Sequence, residues 1–543
     1  LRPGAERRTF WIWVAGITLL GAVLRFQALD SGLPHPRTRP DEEPILQHTA
    51  LPARGEFNLD WGVYPSAYVY LCWLWGEISV RAGHRIGLLP SGDYATILRD
   101  QRSSLYHIDR ALSALAGTAT VLLLMVVAER TLGRGTSLAA GLLMATNFLH
   151  ARDSHTFKPD VMLSSFIVIT FACLVPLARR ATARHGILAG AAVGAAMAMK
   201  YPGILLLVPL YVAAAMGSPA RGWRRLVPMP AVLGGCVAAL VFLLTSPDLV
   251  FSGESKRMLS KMVLILFPQI WTDWIPLELR EAAARPFGPA VENPGWRAFL
   301  YHVRFSLWYG FGGLATVLAA PAVLWGFATR RPVAVLASTF FVAWYAVVGS
   351  SPHLYARYLT PVAPVLLLLE AGVLAALASR FRRPGLVLSL AVAAVAVQPL
   401  ASTLAFNRIA AETDTRLLAT RWLGEHATTG ARVVVYGTVF WPYGAPQMPP
   451  GVQLVNVPPE AQKLEEERVQ YVVTHDHELP FSRVDRAPLA SLGPRLTLLA
   501  AFDPAVRGGS GAVFESADAY YIPFHGFHAV ERPGPKIEIY RFE

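Results

Sequence analysis

The feature that most constrains this chain is its series of long apolar runs, separated by short turns that carry arginine. A helix needs roughly 17–25 apolar residues to cross a hydrocarbon core about 30 Å thick. In that medium every backbone N–H and C=O must find an internal partner, so such runs fold as helices. Spans are expected at residues 10–29, 109–128, 135–149, 161–178, 186–199, 203–216, 226–246, 304–327, 333–349, 358–378 and 385–405, eleven in all. Residues 10–29 read as a retained first span, because no small-residue cleavage site follows them. With 53% hydrophobic and 16% charged residues, the chain is too apolar for an ordinary soluble enzyme of this length.

The arginines give an orientation. Basic residues accumulate in short cytoplasmic loops. Placing the N-terminus inside puts sixteen arginines in six short segments: 1–9, 129–134, 179–185, 217–225, 328–332 and 379–384. The short outer turns then hold few basic residues, among them Arg152, Lys158, Lys200 and Arg357. A net charge of +12 would suit nucleic acid, but its placement between apolar runs assigns it to membrane orientation. The apolar segment 63–80 is expected to lie along the outer interface or to enter and return, because a crossing there would invert every later loop. The expected architecture is a polytopic α-helical membrane domain over 1–405, with outer loops 30–108, 150–160, 247–303 and 350–357. A soluble extracytoplasmic mixed α/β domain follows at 406–543, with a helix at 415–427 and strands at 432–437, 470–475, 495–502 and 536–542. Cys72, Cys173 and Cys236 lie in separate apolar segments and read as core residues.

Ionisable side chains at a membrane boundary mark functional positions. The first cluster is Asp41, Glu42 and Glu43, about a dozen residues after the first span. These residues form a solvated acidic turn that caps a helix with Pro44 in its first position, or supply a general base or a metal ligand. The second cluster is Arg152, Asp153, His155, Lys158 and Asp160, between two spans. Asp160 is placed to cap the helix that follows. Alternatively, Asp153, His155 and Asp160 offer the donor types that bind a divalent cation, and Lys158 and Arg152 bind phosphate. Lys200 stands between two short apolar arms, with Pro202 breaking the helix. It either snorkels to the interface or holds an anionic lipid head group. His353, Arg357 and Tyr358 fall at the outer end of a span, as an interfacial anchor or as ligands of a phosphate. No P-loop, dinucleotide fingerprint or nucleophile elbow is present, so no nucleotide cofactor is expected.

Together these residues resemble the GT-C membrane glycosyltransferases, and within them family 39, the dolichyl-phosphate-mannose protein mannosyltransferases and bacterial aminoarabinose transferases. The resemblance rests on Asp41-Glu42, YPSAYVYL at 64–71, Ser154-His155 with Asp160, KYPGILLL at 200–207 and ARYLTPVAP at 356–364. It implies an inverting glycosyltransferase that takes a hexosyl or pentosyl group from a polyprenyl-phosphate donor at the outer face. The acceptor would be a protein, lipid or glycan. Asp41 would be the base, with Glu42 in its place if the register shifts by one. Asp160 would organise the donor phosphate through a metal, and Lys200 and Arg357 would bind that phosphate. Aminoarabinose transferases carry a lysine before the prolines of the segment matching 64–71, where this chain has Val63-Tyr64-Pro65-Ser66. That departure implies different donor recognition.

Two other classes share some of these features. A transporter or lipid flippase would line a midplane path with polar residues and often repeat internally. Here the polar clusters gather at one expected face and no repeat is visible. A non-catalytic membrane scaffold would tolerate loss of Asp41. The Ala/Arg/Gly-rich composition and a cysteine-free outer domain favour a prokaryotic plasma membrane.

Overall fold

A computed structural model describes residues 3–35, 37–220, 227–248, 296–351, 354–437, 441–479, 482–515 and 521–543. The chain divides into two compact units. The first comprises Leu1–Phe26, Ile45–Gln101 and Ile108–Thr403, and the second Gln27–Pro44, Arg102–His107 and Leu404–Glu543. The compact units thus share the loop 30–108, which was expected to belong wholly to the membrane domain.

The first unit is helical. Among the described residues, five helical runs are long and apolar enough to cross a membrane by length and composition. They are Glu6–Phe26, Arg102–Leu132, Pro159–Arg179, Pro332–Gly349 and the run Pro384–His426, whose apolar part is the Pro384–Ala410 helix. Shorter apolar helices occupy Tyr201–Gly217, Met229–Thr245, Gly313–Ala328 and Ala363–Ala378. These runs mark a membrane protein. The ambiguous segment 63–80 lies on the helix Ser66–Arg85, which is not among those five. Its buried residues Tyr68, Val69, Cys72, Gly76 and Val80 recur at helical spacing, so one face packs and the other does not.

Small residues set one close helix pair. Gly186, Gly190 and Gly194 form a stripe along the helix Ala183–Met199. A β-carbon at those positions would fall 2.3, 2.1 and 2.5 Å from the carbonyl oxygens of Pro230, Gly234 and Ala238 on the helix Met229–Thr245. In lipid the hydrophobic effect does not drive helices together, so close backbone approach along small residues supplies the attraction.

The second unit contains a five-stranded sheet in the order β2-β1-β3-β5-β4. The strands are β1 (Arg432–Tyr436), β2 (Gln453–Val455), β3 (Tyr471–Asp476), β4 (Leu496–Phe502) and β5 (Lys536–Phe542). β1 runs parallel to β2 and β3, and β5 runs antiparallel to β3 and β4. β2 has three residues and no clear alternation, and it was not anticipated from sequence. Ala419 and Leu423 of the helix Thr415–His426 pack on Val433, Val473, Ile537 and Ile539 of one sheet face. Asp414 caps that helix by accepting the Arg416 N–H. The Arg416 guanidinium returns a fork to the same carboxylate at 2.9 and 2.7 Å, and also donates to the carbonyls of Tyr443 and Arg37. Asn407 donates to Gln27 and His35 Nε2 to the Ala445 carbonyl. These bonds tie residues 27–44 to the C-terminal part of the same unit.

His475, on β3, has no solvent exposure and, among the described residues, no partner for either ring nitrogen. Gly437 and Gly444 flank the ring, and a β-carbon at 437 would lie 1.9 Å from Nε2. Burial and the nearby Arg416 hold His475 down to about 4, and burial does the same to His477.

Two predictions follow from these contacts. Gly190→Ala should destabilise the protein by about 1–3 kcal/mol through overpacking. Gly235→Ala, with nothing within 4 Å of its added carbon, should change little. Thermal unfolding in detergent separates the two, and equal shifts would discount the close pair. For His475 the native value lies below the unfolded value of about 6.5, so between these the unfolded chain binds the extra proton. Stability should therefore be level above pH ~6.5 and fall towards pH ~4, by up to about 1.4 kcal/mol per pH unit for each such histidine. His475→Gln should flatten that slope, and parallel pH profiles would refute a neutral buried His475.

Candidate functional site

In the first unit the segment 147–160 is built by local rules. Asn147 caps the helix Phe148–Asp153 by accepting the His150 N–H. The chain then turns through 154–158 and re-enters a helix at Pro159, where the missing N–H costs nothing. Asp160 therefore sits in the first turn of Pro159–Arg179, where the helix dipole favours a negative charge. Lys200 stands where the helix Ala183–Met199 gives way to the 3-10 turn Tyr201–Leu206. Pro202 ends the helix because it has no N–H to donate. Gly203 lets the turn fold back, since a β-carbon there would meet the Ala196 and Met197 backbone at 2.7 Å.

These two breaks bring Lys200 and Asp160 together. Lys200 Nζ donates to Asp160 Oδ1 at 2.5 Å. Both are largely removed from solvent, with side-chain exposures of 14% and 3%. Asp160 Oδ2 is buried without a hydrogen-bond partner among the described residues. Lys200 Nζ also lies 5.7 Å from the centre of the Tyr358 ring. A cation at that distance is attracted by the ring's negative face.

Arg357 and Tyr358 belong to the 3-10 turn Ala356–Leu359. Arg357 is buried, with its guanidinium 4.2 Å over the Tyr355 ring, and the Tyr355 and Tyr358 rings are 5.3 Å apart. The Tyr358 carbonyl accepts from Trp344 Nε1 at 2.8 Å, which fixes the turn to the helix Pro332–Gly349. Just after the turn, Thr360 Oγ1 donates to Asp153 Oδ2 at 2.5 Å. Arg152 Nη1 donates to Asp153 Oδ1 at 2.9 Å. Asp153 therefore ties the 148–153 helix to the Arg357 turn. Burial raises its carboxyl above the usual range, while Arg152, Thr360 and Lys158 oppose the shift. Lys158 is buried at the N-cap of the Asp160 helix. His155 is buried too, with Nδ1 bonded to the Ala151 carbonyl.

A buried arginine supports this segment from behind. Arg25 donates to the carbonyls of Gly21, Ala145 and Met144 and to His150 Nδ1. A guanidinium only donates, so His150 Nδ1 accepts and its Nε2 carries the proton to Ser164 Oγ at 2.8 Å. The Ser164 hydroxyl then donates to the Val161 carbonyl. One chain of bonds thus fixes both flanks of the 150–160 turn.

In the second unit the acidic segment is differentiated residue by residue. The helix Glu42–His48 begins at Glu42, with Pro44 in its first turn. Glu42 and Glu43 are buried, whereas Asp41, just before the helix, is half-exposed. Thr38 Oγ1 donates to Glu42 at 3.3 Å. Glu43 accepts from the Tyr106 hydroxyl and pairs with Arg102 at 3.0 Å. Asp41 and Glu43 both act electrostatically on Tyr443, whose hydroxyl is shifted upward mainly by burial.

Asp153, Asp160, Lys158, Lys200, Arg357 and Tyr358 thus lie on neighbouring elements of one unit, and Asp41 and Glu42 in the other. His353 lies outside the described residues. Asp153, His155 and Asp160 do not form the expected metal set. Both Asp153 oxygens accept from protein donors, and Asp160 Oδ1 is held by the Lys200 ammonium. Among the described residues no group of three or more His, Cys, Asp or Glu side chains is placed to hold a metal ion. Sequence reasoning missed Thr360, Tyr355, Arg25, His150 and Ser164. Thr360 follows the Arg357 turn closely enough to have been noticed, but Arg25 resembles any span-end arginine.

Residues 108–251 match the family model described as dolichyl-phosphate-mannose-protein mannosyltransferase. That stretch holds Asp153, Asp160 and Lys200 but not Asp41 or Arg357. No curated protein matches the chain. Among solved structures, ArnT from Cupriavidus metallidurans in the apo state is 16% identical, with 91% of this chain and 96% of that one covered, at a TM-score of 0.47. ArnT bound to undecaprenyl phosphate is 15% identical, covering 90% and 95%, at 0.46. The apo oligosaccharyltransferase of Archaeoglobus fulgidus is 12% identical, covering 96% and 77%, at 0.44.

Replacing Lys200 removes the cation expected from sequence to bind a phosphate and also strands Asp160. Lys200→Met paired with Asp160→Asn separates the two effects. The double variant should fold, and its affinity for a polyprenyl-phosphate donor should fall roughly 10–100-fold, the loss of a charge-assisted bond. An unchanged donor titration in the folded double variant would remove Lys200 from the phosphate site.

Proposed function

We propose that this chain is an inverting membrane glycosyltransferase that moves a hexosyl or pentosyl group from a polyprenyl-phosphate donor to an acceptor hydroxyl or amine. The observation that carries the reading is the Lys200–Asp160 pair beside Tyr358, inside the stretch matched by a family defined by a lipid-phosphate-linked sugar. The acceptor's nucleophile bonds to the anomeric carbon as the bond from that carbon to the phosphate oxygen breaks. Negative charge grows on the departing lipid phosphate, and fixed cations aimed there lower the barrier most. Lys200 and Arg357 supply them. Both sit on aromatic rings and in largely buried positions, where water screens them little. Asp160 keeps the Lys200 ammonium in place, and its free Oδ2 accepts a hydroxyl from the donor sugar. In this reading Lys200 takes the place of a divalent metal at Asp160.

The reaction also needs a base for the acceptor proton. Asp41 is assigned that role because it keeps solvent access whereas Glu42 and Glu43 are buried. The orientation proposed is N-terminus cytoplasmic and C-terminal domain extracytoplasmic, in a prokaryotic plasma membrane. The arginine distribution supports it.

Transfer of labelled sugar from a polyprenyl-phosphate donor by purified protein tests the reading. Asp41→Asn should lose transfer by roughly 10²–10⁴-fold, the range of a lost general base. It should keep its thermal midpoint and donor binding. Full transfer by Asp41→Asn would move the base elsewhere, and absence of donor binding by the wild type would reject the transferase.

A further inference from the structure

The arginines at the far end of the first helix are not used by the transfer reaction. Arg7, Phe10 and Trp11 of the first helix, Glu129 and Arg130 from the end of Arg102–Leu132, and Arg134 at the start of the next helix line a cleft of about 150 Å³. A water occupies about 30 Å³ in the liquid, so the cleft has room for a phosphate group. Three guanidinium groups meet one carboxylate on its walls. Arg134 is 4.0 Å from both Glu6 and Glu129, and its guanidinium lies 5.7 Å over the Phe10 ring. Arg7 and Arg130 are exposed and make no ion pair with a described residue. Among the described residues the cleft is therefore left with an excess of cations over carboxylates.

Position selects the ligand. Arg7 and Arg25 stand eighteen residues apart on one helix, a rise of about 27 Å. That is close to the hydrocarbon thickness of about 30 Å, so the cleft lies at a membrane interface. Trp11, Ile12 and Trp13 beside it are 44%, 62% and 60% exposed, an apolar flank of the kind that sits among lipid head groups and chains. A soluble anion would gain nothing from that flank. An anionic lipid places its phosphate on the arginines and its chains along the tryptophans.

We propose that this cleft is a binding site for the head group of an anionic glycerophospholipid. Guanidinium forks match phosphate oxygens two at a time, and basic pockets between membrane helices take such head groups. The proposal rests on the chain spanning a membrane and is independent of the transferase reading, because its test reads no transfer.

The full chain is reconstituted in nanodiscs of phosphatidylcholine alone or mixed with phosphatidylglycerol. Thermal midpoint and bound lipid by native mass spectrometry are measured. Phosphatidylglycerol should raise the midpoint and remain bound. Arg7→Gln and Arg130→Gln should each lower its affinity roughly fivefold, without changing the midpoint in phosphatidylcholine. Arg8→Gln, outside the cleft, should respond as wild type. If a glutamine variant does not fold, Arg130→Lys carries the test, and it should still bind more weakly because it keeps the charge but loses the fork. Equal midpoints in the two lipids, undiminished affinity in the cleft variants, or a midpoint rise from millimolar inorganic phosphate alone would each overturn the proposal.

Discussion

A charge taken out of water must bring its compensation with it, and the polar parts of this protein follow from that requirement. Removing a buried ion's partner costs far more than the pair ever contributes. Asp160 has Lys200, Asp414 has Arg416, and Asp153 has Arg152 and Thr360. Arg25 is the exception that proves informative, because it is neutralised by carbonyl oxygens instead of a carboxylate. Two of them, Met144 and Ala145, close the helix Arg134–Thr146, where unsatisfied carbonyls carry partial negative charge. A helix end thus serves as the counter-ion.

Each of these pairs depends on a break in regular structure. An uninterrupted helix satisfies its own backbone and presents side chains only along its faces. Pro159 starts one helix and Pro202 prevents another from continuing, and the two chain ends so created deliver Asp160 and Lys200 to one point. The 3-10 turn at 356–359 does the same for Arg357 and Tyr358. Apolar helices supply stable walls, and their interruptions bring charged side chains together. The small-residue stripe at Gly186, Gly190 and Gly194 fixes one of those walls closely enough for the arrangement to be held.

The C-terminal sheet obeys the same accounting with water available. Its core is an ordinary packing of Val433, Val473, Ile537 and Ile539 under Ala419 and Leu423. Its polar interior is concentrated where residues 27–44 meet the loops after β1 and β3. There His35 is fixed as a neutral tautomer, since its Nδ1 accepts from the Arg37 N–H while Nε2 donates to the Ala445 carbonyl. Burial and the adjacent Arg416 hold His35 down to about 4, so no second positive charge arises beside the guanidinium.

The amino-acid sequence carries the helical membrane class, the strand segments other than β2, and the ionisable residues that merit suspicion. These are local properties: apolar run length, alternation, proline position and charge at a boundary. It places Asp160 near a helix start and Pro202 where a helix ends, although the first of these helices begins at Pro159 with Lys158 as its N-cap. The partner of each charge comes from the fold. Asp160 meets a lysine forty residues away instead of completing a metal set with Asp153 and His155, and Asp153 is held by Thr360, 207 residues on. Of three adjacent carboxylates, the fold buries Glu42 and Glu43 and leaves Asp41 half-exposed. The physical reason is that a side chain's protonation and partners are set by distance and dielectric. Neighbours distant in sequence fix both, and no local pattern encodes them.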